Sequence, residues 1–374
     1  MNIIEAGIYH RKGFEDMNKH MFAGASTPDG FINFFNYIMP LEKAKKRLFL
    51  KGSSGSGKST FINKIADEFE AIGANTERFH CANDPDSLDA LSVAGKGLCI
   101  LDATAPHCCE PEIPAAIDKI IDFAEFLDEQ KVSRYVDEIK SLVRMKKYFI
   151  DKAFAYLSAA GSVYLAENEA YNMTLNKNPL NDLLQELLKI SNMQRASNSF
   201  GFDRKLFISA ITPNGFVSLS EGYFGDCKVY GLYGENRAKA SIFLTELRDK
   251  INAVGINTES FCCPFAPKWI ECLHLPDMKI AFAAMDGNFG YKGSVDDKID
   301  VGSCFDTKVL GDIKHKERRN NEYDLFGKML GAVIESMNLS KVYHTKIEDI
   351  YSSAMNFDKV RILTEKTADE LLSL

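Results

Sequence analysis

The residues best placed to do chemistry form one run. Gly52-Ser53-Ser54-Gly55-Ser56-Gly57-Lys58-Ser59-Thr60 matches G-x-x-x-x-G-K-[ST] at every position. Glycines at these places let backbone N–H groups turn toward phosphate oxygens. The start of a following helix adds partial positive charge to the same spot. Lys58 is expected to reach the β- and γ-phosphates, and Ser59 to ligate Mg²⁺. The whole run, Gly52 to Thr60, is expected to hold the nucleotide, with ATP and Mg as cofactors. The bland alternative is a glycine-rich turn that only starts a helix. The flanks argue against it: an apolar strand, Leu48-Phe49-Leu50, precedes the run, and Phe61, Ile62, Ile65 and Phe69 follow at helical spacing.

An acid should support the metal. Leu98 to Asp102 is an apolar strand ending in a carboxylate, so Asp102 is expected beside Mg²⁺ and, with Lys58, to carry the catalysis. The bland reading is a strand followed by an Asx turn. Asp84, Asp86 and Asp89 follow the second strand, where open α/β sheets place ligands, and are weaker candidates for orienting a substrate. Their alternative is helix N-capping around Asp-Pro. His80, Cys81, His107, Cys108 and Cys109 invite a metal reading, but no C-x-x-C or H-x-x-x-H spacing occurs. Buried strand-end cysteines are the preferred account, with His107 close enough to Asp102 to approach a γ-phosphate. Arg134, Arg144, Lys146 and Lys147 could supply a lid cation, and Arg195 or Arg204 an alternative one.

These groups need elements to position them, and the elements come twice. Phe22–Phe31 returns 185 positions later as Phe207–Phe216, with six of ten residues identical. Glu70–Cys81 returns 182 positions later as Asn252–Cys263, with seven of twelve identical. Each half opens with a Thr-Pro-x-Gly-Phe turn. A strand follows (Leu48–Leu50; Val229–Leu232), then a loop, then a helix (Phe61–Ile72; Phe243–Val254) stopped by Gly73 or Gly255. A second strand near Arg78–Cys81 or Ser260–Cys263 completes a βαβ pattern, which implies parallel strands and an α/β fold. Ile113, Ile117, Ile120, Ile121, Ala124 and Leu127 suggest a helix behind Pro114. Residues from about 132 to 175 suggest one or two more, read as a helical insert in the first copy. Residues 1–200 are therefore expected to form one domain with the intact loop and the insert, and 201–374 a degenerate repeat.

In the second copy the loop reads Gly234 to Ser241. Arg237, Lys239 and Ala240 stand where Gly55, Gly57 and Lys58 stand in the first. Glu235 adds a negative charge. Asp286 matches Asp102 only with a two-residue insertion. A nucleotide-site relic is expected, serving to pack against copy one or to lend it a group.

Composition sets the remaining bounds. The chain has 374 residues, 45 Lys+Arg and 52 Asp+Glu, a net charge of −7. The halves carry −4 and −3, so neither has a basic footprint for nucleic acid. The short run Lys43–Arg47 reads as a solvated approach to a strand. No apolar run approaches a membrane span, and nine cysteines without framework spacing suggest a reducing, cytoplasmic setting. A GTPase would carry Asp-x-x-Gly and Asn-Lys-x-Asp. Asp102 is followed by Ala103-Thr104-Ala105, and Asn176-Lys177-Asn178 by Pro179. Ala103 also replaces the Glu expected of a motor-type ATPase.

With Thr27–Phe31, Gly52–Ser59, His80–Asp89, Asp102–His107 and the echoes Thr212–Phe216 and Cys263–Pro267, the chain resembles a bacterial family of tandemly duplicated P-loop NTPases, described as ATPase or nucleotide kinase-like. The resemblance implies two tandem P-loop NTPase-like domains with parallel sheets flanked by helices. It also implies an intact loop in the second copy, from which this chain departs. It lends no acceptor. The expectation is Mg-ATP hydrolysis, or phosphoryl transfer to a small-molecule or protein acceptor, by the N-terminal copy. The competing class is a non-catalytic nucleotide-gated switch or scaffold.

Overall fold

A computed structural model of the chain describes residues 18–107, 109–190, 199–234, 237–285, 289–306, 308 and 314–374. The first half runs β1 (Lys19–Met21), β2 (Gly24–Thr27), β3 (Gly30–Asn33), β4 (Lys46–Lys51), α1 (Lys58–Ala71), β5 (Glu77–Cys81), β6 (Asp84–Val93), β7 (Leu98–Asp102), β8 (Asp118–Asp122), α2 (Glu129–Ser133), α3 (Val136–Asn172) and α4 (Lys177–Ile190). The second runs β9 (Asp203–Leu206), β10 (Ser209–Thr212), β11 (Gly215–Ser218), β12 (Lys228–Tyr233), α5 (Arg237–Ala253), β13 (Thr258–Cys263), β14 (Ala266–Leu275), β15 (Ile280–Ala284), β16 (Asp297–Asp300), α6 (Lys314–Ala354) and α7 (Phe357–Leu372).

Each half builds a six-stranded sheet, in the orders β1-β5-β6-β7-β4-β8 and β9-β13-β14-β15-β12-β16. The two orders are the same order used twice. In the first sheet β1–β5, β4–β7 and β4–β8 pair parallel, and β6 alone runs against its neighbours. The α/β expectation holds, with one addition. The segment after the second strand returns as an antiparallel strand, so Asp84, Asp86 and Asp89 lie on β6 and do not cap a helix.

Strand alternation divides each sheet between two cores. Leu48, Leu50, Leu91 and Ile100 turn toward α1 with Phe61, Ile62, Ile65 and Phe69. Phe49, Phe79, Ala90 and Leu101 turn the other way. They join one cluster with Phe261, Cys272, Ala281 and Ala283 of the second sheet. The halves therefore share a core. Equivalent residues meet at their centre: Phe22 and Phe207 exchange both backbone hydrogen bonds, at 2.9 and 3.0 Å. A residue bonded to its own repeat-mate in both directions marks a pseudo-two-fold axis. Nearby, Arg204 holds Glu77 of the first half and Glu259 of the second, at 2.7 and 2.8 Å.

Two sequence expectations are corrected. Residues 113–127 are not one α-helix, and only the short 3₁₀ turn Phe123–Phe126 is helical. Asp118–Asp122 is strand β8, paired with β4, and Ile120 is half exposed. The reason is Asp118. Its carboxylate accepts from Arg47 Nε and Nη2 at 2.7 and 2.8 Å, and from the N–H groups of Glu112 and Ile113 at 2.7 and 2.8 Å. That fixes the preceding loop and starts an extended segment, which no helical spacing can override. Arg47 is consequently buried, not solvated.

The helical insert is likewise no insert. α6 and α7 repeat α3 and α4 in the second half, and α3 lies antiparallel along α6. Their ends are tied alike: Asp128 N–H donates to Ala354 O and Asn356 N–H to Phe126 O. Likewise Asn176 N–H donates to Cys304 O and Asp306 N–H to Thr174 O. As a result each half's last helix covers the other half. Leu180, Leu184 and Leu187 of α4 pack with Phe243, Leu244 and Leu247 of α5. Val360, Ala368 and Leu371 of α7 pack with the α1 core.

The Arg47–Asp118 pair has a measurable consequence. Arg47 holds the Asp118 carboxyl below its ordinary 3.8, at about 2. A depressed carboxylate contributes stability that is full above about pH 4 and lost as pH falls toward 2. Asp118→Asn leaves buried Arg47 with the more exposed Glu112, 3.0 Å from Nη1, as its remaining carboxylate partner, which should cost about 3 kcal/mol at neutral pH. Urea unfolding at pH 7 and pH 3 should show the variant's deficit shrinking at the lower pH. An equal deficit at both would refute the assignment.

Candidate functional site

The site is built where β4 gives way to α1. Gly55 and Gly57 have φ of +73° and +92°, conformations that need glycine. The side chain of Lys58, 8% exposed, folds back over the loop. Its Nζ donates to Gly52 O at 2.7 Å and Ser53 O at 2.9 Å. It stands 3.7 Å from Asp102 Oδ2 at the end of β7. Asp102 Oδ1 accepts from Thr104 N–H at 2.9 Å, so the Asx turn is real and coexists with the approach to Lys58. Ser59 Oγ accepts from Leu88 N–H of β6 at 2.9 Å. Ser56 Oγ is buried and has no hydrogen-bond partner among the described residues. Thr60 is exposed on α1.

Of the three acids on β6, two reach this neighbourhood. Asp89 is buried and lies across from Asp102, continuing the Ala90–Leu101 register. Burial, reinforced by the nearby Asp102 charge, raises its pKa to about 8. His107 Nε2 stands 3.3 Å from Asp89 Oδ2, and burial lowers its pKa. The ring of His107 stacks on Phe35, with Phe31 at its edge. Cys81 joins this pair. Asp84 accepts from Ser87 Oγ at 2.6 Å and from Lys341 Nζ at 2.9 Å. Asp86 faces a separate cavity of about 560 Å³ between the halves, lined also by His20, Glu77, Ser218 and Tyr223.

The cations sort themselves. Lys146 donates to His344 Nδ1 at 2.7 Å, and His344 Nε2 stands 3.5 Å from Glu348. Burial, with Lys146 and Lys58 adding positive charge, lowers the His344 pKa to about 4. Arg134, Arg144 and Lys147 are exposed. Arg204 belongs to the ion cluster between the halves and is no lid cation. Arg195 and Cys108 lie outside the described residues. Lys341, His344 and Glu348 were invisible to sequence reasoning. They sit on α6 of the second half and reach the first half's loop only through the pairing of α3 with α6. The same pairing sets Glu348 backbone against the loop, where a Cβ on Gly55 would come 2.6 Å from Glu348 O.

The second copy can be compared by register. β4 pairs β7 as Leu50 with Asp102, and β12 pairs β15 as Leu232 with Ala284. The position of Asp102 is thus held by Ala284 without any insertion, and Asp286 lies outside the described residues. Ser59 is matched by Ser241, which donates to Ile270 O at 2.9 Å. Lys239 is buried beside the Phe305 ring. Glu235 and the side chain of Arg237 lie outside the described residues.

Comparison with protein-family models, curated proteins and solved structures finds no match. Among the described residues, no helix is long and apolar enough to cross a membrane.

Proposed function

We propose that the first copy binds Mg-ATP at Gly52–Thr60 and hydrolyses it or transfers its γ-phosphoryl group. One observation carries this reading: a strand–loop–helix turn with glycines at positive φ aims Lys58 across the loop to within 3.7 Å of Asp102. The orphaned, buried Ser56 hydroxyl supports it as a group suited to an oxygen-rich ligand. Ser59 and Asp102 would hold Mg²⁺, whose charge offsets that of the triphosphate. Lys58 exchanges loop carbonyls for phosphate oxygens. Asp84 and Asp89 mark the acceptor side, with Asp89 across from Asp102 in the β6–β7 register. Lys146 and Lys341 are cations close enough to cover it, with the neutral imidazole of His344 beside Lys146.

A second reading has its own support. Glu348 of α6 presses on Gly55, and Phe357 and Val360 of α7 lie near Gly57. Nucleotide that reshapes the loop would then move the second half's helices, and the protein would act as a switch. Calorimetry and turnover separate the readings. We expect one ATP per chain, because Ala240 and Ala284 replace Lys58 and Asp102 in copy two. Two equivalents per chain would refute the single site. Turnover at the background rate, with a nucleotide-dependent change in shape, would favour the switch.

A further inference from the structure

We infer that Cys81, Asp89 and His107 form a binding site for a borderline-soft divalent transition ion, of which Zn²⁺ is the type. This goes beyond the nucleotide site and does not depend on it. One ligand atom from each residue, a thiol sulfur, a carboxylate oxygen and an imidazole nitrogen, lies within 4.8 Å of the other two. Three atoms no more than 4.8 Å apart share a point within about 2.8 Å of each. Zinc takes N, O and S ligands at about 2.0–2.3 Å, so closure asks each donor to move by roughly 0.6 Å, within reach of small rotamer adjustments.

The donor set selects the ion. Mg²⁺ and Ca²⁺ take oxygen, whereas thiolate with imidazole and carboxylate suits zinc and its neighbours. His107 supplies an independent pointer. It is 6% exposed; Nε2 faces Asp89 Oδ2 at 3.3 Å, and the other ring nitrogen, Nδ1, has no hydrogen-bond partner among the described residues. An imidazole nitrogen left unmatched in a dry site costs free energy unless something binds it or the ring turns to present it.

The two halves offer an internal comparison. Register places Cys263 opposite Ala266 in copy two as Cys81 stands opposite Asp84 in copy one. Glu271 follows Ile270 as Asp89 follows Leu88. Phe289 occupies the place of His107: it meets Phe216 edge-on at 5.2 Å, as His107 meets Phe31 at 5.4 Å. A cysteine and an acid are thus kept in both halves. The histidine that completes three donors exists only in the half that also has Lys58 and Asp102. An aromatic ring alone satisfies the packing, as Phe289 demonstrates, so packing does not explain a histidine.

Three protein ligands leave a fourth position for water or substrate, the arrangement of catalytic rather than structural zinc. Asp102 and Lys58 act electrostatically on both Asp89 and His107. The ion would therefore lie beside the nucleotide site without sharing the Ser59 ligand.

The test uses the full chain, stripped by chelation and titrated with Co²⁺ in the absence of nucleotide. We expect one equivalent to bind with thiolate-to-cobalt charge-transfer absorption, displaced by Zn²⁺. Cys81→Ser should abolish that absorption. His107→Phe reproduces the ring of copy two and should keep the metal-free fold by circular dichroism. It should weaken binding by more than about tenfold, since even losing an outer-shell partner of a ligand costs that much. Absence of uptake, charge transfer that survives Cys81→Ser, or unchanged affinity in His107→Phe would each overturn the assignment.

Discussion

Replacing Lys58 by Ala is expected to weaken Mg-ATP binding and any turnover by at least about 100-fold, the scale of losing one charged donor at a phosphoryl site. The argument is electrostatic. Lys58 is the buried cation that spans from the loop carbonyls to Asp102. In copy two the matching residue is Ala240. The lost bonds to Gly52 O and Ser53 O should cost little stability, because Gly52 O also accepts from Thr104 Oγ1 at 3.2 Å. Lys64→Ala, six residues further along α1 and paired at the surface with Glu68, is the control and should bind as the parent does. Calorimetry giving equal affinity for Lys58→Ala and the parent would sink the nucleotide reading altogether.

The second large effect concerns the halves. Expressed separately, residues 1–200 and 201–374 should each fail to fold cooperatively, and co-expression should restore one complex. Each fragment lacks the helix that covers its sheet: α4 leaves the second core with Leu180, Leu184 and Leu187, and α7 leaves the first with Val360, Ala368 and Leu371. Burying three leucines alone is worth about 6 kcal/mol. That is comparable to the whole stability of a typical domain, about 5–15 kcal/mol. The shared core of Phe49, Phe79, Phe261 and Ala281 would be exposed as well. Independent two-state unfolding of either fragment near the parent's midpoint would contradict the exchanged arrangement.

The exchange also bears on how the protein arose. Phe22 with Phe207, Thr174 with Cys304's neighbours, and Phe126 with Asn356 are the contacts a symmetric dimer makes when its protomers trade a terminal helix pair. Joined in one chain, the halves are free to diverge, and the second one's helices lie against the first one's loop.

Much of this was legible in the sequence for one reason: local geometry has local causes. The loop needs glycines at positions that can be counted, and the strands before and after it must be apolar to be buried. The turn Thr27–Gly30 closes on its own hydroxyl at 2.8 Å, and its echo Thr212–Gly215 does so at 2.9 Å. Those features follow from spacing, so the repeat, the α/β class and the places of Lys58, Ser59 and Asp102 could be read in advance. Strand β8 misled because isoleucines at helical spacing also suit an edge strand, and the deciding contact, Arg47 with Asp118, spans 71 positions. Asp89 beside Asp102 depended on β6 running antiparallel, which no spacing announces. Lys341, His344 and Glu348 reach the loop because two long helices bury their apolar faces on one another. Cys81, Asp89 and His107 come from three separate segments. Sequence thus determined where the glycine-rich loop, its lysine and the strand-end acid stand along the chain. Tertiary packing alone decided which acids, cations, thiol and imidazole stand beside them, because contacts between distant segments are set by how whole faces are buried.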